Sequence, residues 1–246
     1  MFVFKIVPMI NPDGVARGHF RTDGYGRNLN RYYKDPTLAE QPSVFAIVQL
    51  INYFEQDKRI FFFCDYHAHG SCKDHFFYGN SLGFVQQVEA RTFAKILEMN
   101  NENFSYDSCD FSEKQMAAKE SNPLEKVKRT KEHCSRIATY RYAHLIHSFT
   151  LELGYHEPKR RIKSQVGIPY TVDSFRKLGH DLLISLLDLF DRNPQSKLTS
   201  CLQVIRKSIA EKIKEQFKKK ESHIHHKVTK VHDLIEEGYY DPVMPY

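Results

Sequence analysis

The sequence predicts an α/β domain, and three observations carry the prediction. Short apolar runs of strand character recur, at FVFKIVPMI (2–10), at IFFFCDYHAHG (60–70) and at LIHSFTLELGYH (145–156). Segments with apolar residues at helical spacing stand between and after them, over 42–56, 84–99 and 172–190. Polar stretches with Gly, Asn and Pro separate the two kinds. At 246 residues with 41% hydrophobic content, the chain suffices for one sizeable core, or for one domain and an extension.

Taken in order, the first run breaks at Asn11-Pro12-Asp13-Gly14 into a polar, glycine-rich loop, a common place for site residues. Arg21 and Arg31 on this loop offer positive forks suited to carboxylates and to negative charge developing on an attacked carbonyl, and Asn30 offers a neutral amide donor. Solvated or salt-bridged arginines are the equally open alternative. A helix over 42–56 begins at Pro42. The second apolar run ends in Asp65, His67 and His69, which share one face of an extended strand. A buried strand holds a metal-ligating imidazole rigidly, and a carboxylate beside it orients the ring; histidines satisfied by local hydrogen bonds are the alternative. After the helix over 84–99, residues 101–135 read as a long polar loop near the site, with Lys126, Lys128, Arg129 and Lys131 on it. Such a charge run is either a solvated face or an attractor of acidic tails.

The third run carries one carboxylate, Glu152. A charge there is costly to bury unless paired or functional, and a glutamate beside a reactive water is suited to general-base work; an edge strand with Glu152 facing solvent is the alternative. The amphipathic segment 172–190 closes the domain. After Asn193-Pro194 the composition turns basic and helix-prone, with His223, His225 and His226 in a solvated extension. The expected division is therefore a domain over 1–192 and a basic, partly helical extension over 193–246.

The segments NPDGVARGHFRTD, GRNLNRYY, DYHAH with FFYGN, DFSEKQM, SRIATY and SFTLEL, in that order across residues 1–190, resemble the zinc metallocarboxypeptidases. In particular they resemble the cytosolic carboxypeptidase family, which trims glutamate from tubulin tails. The resemblance implies a mixed β-sheet flanked by helices and a Zn2+ cofactor. It assigns His67 as a zinc ligand, Glu152 as general base and Arg21 as the oxyanion-stabilising arginine. It assigns Asn30 and Arg31 to the substrate's terminal carboxylate, Tyr140 to closure over the bound residue, and Arg136 to reading an acidic side chain. The family's HxxE zinc motif occurs nowhere in the sequence. By the resemblance the chain is N-terminally truncated and lacks the family's first strands, leaving two expectations: a glutamate-releasing carboxypeptidase, or an inactive homologue that binds acidic tails without cleaving them.

The formal charge of +6 suits acidic, polyglutamylated partners such as tubulin or microtubules. It would equally suit nucleic acid, but no RNA- or DNA-binding motif accompanies it. The five cysteines form no CxxC pair and leave one over in any disulfide scheme, as expected in a reducing cytoplasm. The first apolar run reads as a strand and not as a leader peptide, and no run approaches the roughly 18 apolar residues of a membrane span.

Overall fold

The computed structural model describes residues 2–57, 59–118, 130–158, 169–196 and 202–227, with 219–227 as backbone alone. Residues 2–9 run without helix or sheet pairing among the described residues, and Val3, Ile6 and Met9 are exposed. This corrects the strand expected there. Apolar alternation favours an extended chain, but a strand also needs a neighbouring edge to bond. The polar loop that follows opens with a helical turn, α1 (Pro12–Ala16), whose first position is proline and whose amide at Gly14 is capped by the Asn11 side chain.

Helix α2 (Pro42–Glu55) buries Val44, Val48 and Ile51 at helical spacing. Strands β1 (Phe62–His69) and β2 (Phe76–Tyr78) precede α3 (Phe84–Asn100), which buries Ala90, Phe93, Ala94 and Leu97 along one stripe. The expected loop over 101–135 contains α4 (Glu113–Ala117), capped by Ser112, and ends at an unanticipated helix, α5 (Ser135–Ala143). Strand β3 (His147–Gly154) and helix α6 (Val172–Leu189) follow, the latter opened by a capping box between Thr171 and Ser174. The chain then forms α7 (Leu202–Lys227).

The sheet is mixed, in the order β1-β3-β2, with β1 parallel and β2 antiparallel to the central β3. Its two faces differ because side chains alternate along each strand. On one face, Phe77, Phe149 and Leu151 pack with Phe93 and Leu97 of α3 and with Leu178, Leu182 and Leu186 of α6 in the main core. The opposite face carries Asp65, His67, Thr150 and Glu152.

Polar bonds fix the end of α3 against α6. Asn100 donates to Asp188 at 2.7 Å and to Ser185 at 3.0 Å, and Asn101 donates to Asp181 at 2.7 Å. Helix α7 also joins this layer: Ile209 and Ile213 bury against Val88, and Arg206 makes two bonds to Glu89 at 2.9 and 3.1 Å. The first half of the basic extension is thus packed, where composition suggested a solvated segment. The side chains of His223, His225 and His226 lie outside the described residues.

Candidate active site

The parallel register of β1 and β3 sets His67 directly opposite Glu152, and Asp65 opposite Thr150. Because the strands are parallel and in register, all four side chains emerge on one face. Glu152 is 8% exposed on the central strand, so the solvent-facing alternative does not hold. Burial raises its carboxyl above the ordinary value; the charges of His67, His69 and Arg21 pull it back and Asp65 pushes it further up.

His67 is held at one ring nitrogen. Its Nε2 meets Asp65 Oδ2 at 2.8 Å and Asn30 Nδ2 at 3.2 Å. Burial alone would lower this imidazole, but the bond to Asp65, together with the charges of Asp65 and Glu152, outweighs burial and Arg21 and raises it. Behind the pair stands Ser135, the first residue of α5, fully buried. Its backbone N–H donates to Asn30 Oδ1 at 2.8 Å, and its hydroxyl donates to Asp65 Oδ2. That hydroxyl faces a carboxylate and not an imidazole, which does not match a serine nucleophile activated by histidine.

Arg136, the next residue, is 2% exposed and donates through Nη1 to the carbonyl of Gly79 and to Asn80 Oδ1, the latter at 3.0 Å. Burial lowers its pKa, opposed by the charges of Cys134, Asp110, Tyr78 and Glu152. It therefore lies within electrostatic reach of the general-base candidate. Tyr78 shares this corner: burial, then Glu152 and Asp110, raise its phenol. Lys131 reaches the same place, its Nζ 5.7 Å from the Tyr78 ring centre and 3.2 Å from Gln115 Oε1. Lys126, Lys128 and Arg129, read with it as one charge run, lie outside the described residues.

The structure thus gathers His67, Glu152, Arg21, Asn30 and Arg136 into one neighbourhood. Arg31 sits just behind it, 5% exposed, with Nη1 on the carbonyl of Asn30 at 2.6 Å. Both ends of the Asn30 amide are taken by protein groups, so gripping a ligand carboxylate requires it to exchange a partner. Tyr140 is half-buried on α5, five residues beyond Ser135 and so roughly 140° around the helix from it. No hydrogen bond joins it to the cluster among the described residues. Sequence reasoning missed Ser135 and Tyr78. Both lay in recognised segments, SRIATY and FFYGN, but no local pattern ties Ser135 to a carboxylate 70 positions away.

Among the described residues, no three His, Cys, Asp or Glu side chains come together as a metal-holding group. His67 offers one imidazole, where a catalytic zinc typically takes about three protein ligands. His69 does not complete the set, because its Nδ1 accepts the amide of Cys72 at 3.1 Å and its strand partner on β3 is Gly154. The described donors therefore do not fit a zinc site by themselves. Cys64, Cys72, Cys109 and Cys134 are free thiols, and no helix among the described residues is long and apolar enough to cross a membrane.

No family model matches the chain. It is 30% identical over 215 residues to cytosolic carboxypeptidase 2 of Mus musculus, an alignment covering 87% of this chain and 23% of that protein. It is 25% identical to cytosolic carboxypeptidase-like protein 5 of Ailuropoda melanoleuca, over 80% of this chain and 34% of that protein. The chain thus spans about a quarter to a third of the length of these relatives. Among solved structures it is similar to a metallo-carboxypeptidase from Burkholderia cenocepacia, with TM-score 0.58 and 21% identity over 76% of this chain and 45% of that one. A metallo-carboxypeptidase from Pseudomonas aeruginosa matches at TM-score 0.56 and 20% identity, with the same coverage. These structures share the fold: helices around a mixed sheet.

Proposed function

This chain is homologous to the cytosolic carboxypeptidases over most of its length, and on that premise we propose that it forms the substrate-binding and general-base side of a carboxypeptidase site acting on glutamate in acidic protein tails, tubulin's among them. The observation that carries the reading is the in-register pair of His67 and Glu152, with Arg21 and Arg136 both within electrostatic reach of Glu152.

Each residue has a task in this reading. Glu152, partly desolvated beside cationic groups, accepts a proton from the attacking water and returns it to the leaving amine. Arg21 faces the negative charge that builds on the attacked carbonyl. Arg136 presents a desolvated guanidinium to an acidic side chain. Asn30 and Arg31 hold the terminal carboxylate, and Tyr140 closes over the bound residue; these three roles come from the resemblance. His67 would supply one ligand to the zinc that the resemblance implies, and metal-dependent catalysis would need ligands beyond the described set. The place of action in this reading is the cytoplasm, at microtubules.

That shortfall in ligands favours a second reading: a module that binds acidic tails without cleaving them. Measuring zinc content, affinity and glutamate release together, with a peptide ending in several glutamates, separates the two. The carboxypeptidase reading expects that, where ligands beyond the described set complete the site, zinc binds at about one per chain and glutamate is released at a rate that Glu152→Gln lowers by about 10²- to 10⁴-fold. Binding without zinc or release supports the module, and neither binding nor release overturns both.

A further inference from the structure

We infer that Lys131 is a specificity-determining residue of the candidate site: it pairs with the side-chain carboxylate of the residue before the terminal glutamate, so the site favours tails that end in two consecutive acidic residues. The inference rests on the reading of the site as one that takes a glutamate-terminated tail. In the sequence Lys131 is the last member of a basic run with Lys126, Lys128 and Arg129, where a solvated face is the ordinary meaning. Its place in the fold gives it a more particular one.

Tyr78 links Lys131 to the site. The antiparallel register of β2 and β3 sets Phe76 opposite Glu152 and Tyr78 opposite Thr150, so both rings emerge on the face that carries Asp65, His67 and Glu152. The charges of Glu152 and Arg136 both act on the Tyr78 phenol. Lys131 Nζ stands 5.7 Å from the centre of the same ring, within cation–π distance. The next two residues of the chain serve Arg136, Gly79 through its carbonyl and Asn80 through Oδ1 at 3.0 Å. Two cations therefore flank the end of β2: Arg136, buried, and Lys131, half-buried and nearer to solvent.

The backbone of Lys131 is held while its ammonium keeps an exchangeable partner. Its N–H donates to the Ala118 carbonyl at 3.1 Å, its own carbonyl accepts the Cys134 amide at 2.9 Å, and two residues on the His133 carbonyl accepts the Tyr33 amide at 3.1 Å. Nζ donates to Gln115 Oε1 at 3.2 Å, a neutral oxygen, and a carboxylate is the stronger acceptor. Successive side chains of an extended peptide point to opposite sides. With the terminal side chain directed inward at Arg136, the preceding one is directed outward, where Lys131 reaches it on a flexible four-carbon stem. Asp110, whose charge also acts on Tyr78, competes for the ammonium, which keeps the gain to that of a partly exposed ion pair.

The test is calorimetry on the full chain at low ionic strength, with a chelator present so that no peptide is cut, using peptides that end in Glu-Glu or in Gln-Glu. The parent binds Glu-Glu about three- to fivefold more tightly, the scale of a partly exposed ion pair, and salt erodes the difference. Lys131→Met removes the discrimination and leaves the Gln-Glu affinity unchanged, whereas a purely structural role would weaken both peptides alike. Lys131→Arg restores the preference. Should Lys131→Met not fold, Lys131→Gln serves in its place. A parent that binds both peptides equally, or a folded Lys131→Met or Lys131→Gln that still prefers Glu-Glu, overturns the role of Lys131 and leaves the reading of the site standing. Binding of neither peptide overturns that reading and the inference with it.

Discussion

Arg136 is a guanidinium 2% exposed whose described partners are a backbone carbonyl and a side-chain amide oxygen, not a carboxylate. Burying a cation without a paired anion is costly, and burial accordingly lowers its pKa. A glutamate side chain entering beside it would supply the missing anion. Arg136→Met keeps an unbranched apolar stem and removes the guanidinium and its charge. It should weaken binding of a glutamate-terminated peptide by about ten- to a hundredfold and leave a glutamine-terminated one nearly unchanged, the difference expected for one charged hydrogen bond; calorimetry with the two peptides checks this. At this scale the sequence was informative wherever chemistry and strand position coincided. His67 and Glu152 each end or interrupt an apolar run, and the residue types alone mark them. Ser135 carries no such mark, because a serine at the start of a helix is ordinary until Asp65 and Asn30 are brought to it.

The elements were legible where a one-sided stripe or a continuous apolar run recorded burial, as in α2, α3, α6, β1 and β3. Helix α5 escaped because it buries five successive residues, Ser135 to Thr139, three of them polar, and so shows no apolar stripe within that stretch. Residues 2–9 were misread for the opposite reason: their apolar pattern is clear, but pairing depends on a second edge. Close approach between elements was equally hidden. Gly154, the last residue of β3, lies so near the loop before β2 that an added Cβ would stand 2.0 Å from the Lys73 carbonyl oxygen. That carbonyl also accepts the Tyr170 hydroxyl at 2.9 Å, ahead of α6. Backbone cannot yield as a flexible side chain would. Gly154→Ala should cost about 3 kcal/mol, the scale of a severe local overpacking, as read from the urea midpoint.

Across the described residues, two histidines outside the site should make stability depend on pH. His75 and His147 are buried, and burial lowers each to about 4 from an ordinary 6.5. His75 Nδ1 already accepts the Gly154 amide at 3.1 Å, so a proton there would set donor against donor. Between pH 6.5 and 4 the unfolded chain binds protons that these sites exclude. Their contribution is therefore complete above 6.5 and falls with pH, by about 1.4 kcal/mol per pH unit for each imidazole. Urea titrations across that range should show His147→Phe with a shallower loss than the parent; parallel profiles would refute it. The sequence by itself determined the α/β class and the helix and strand runs that carry the core, and it marked the residue types of the candidate site. Those properties are written in local periodicity and in the cost of burying charge. Only the tertiary structure decided that β3 is central, that His67 and Glu152 share a register, that α7 packs on α3, and that Ser135 closes a circuit with Asn30 and Asp65. The physical reason is that register, topology and hydrogen-bond partners depend on contacts between residues far apart in the chain, which no local pattern records.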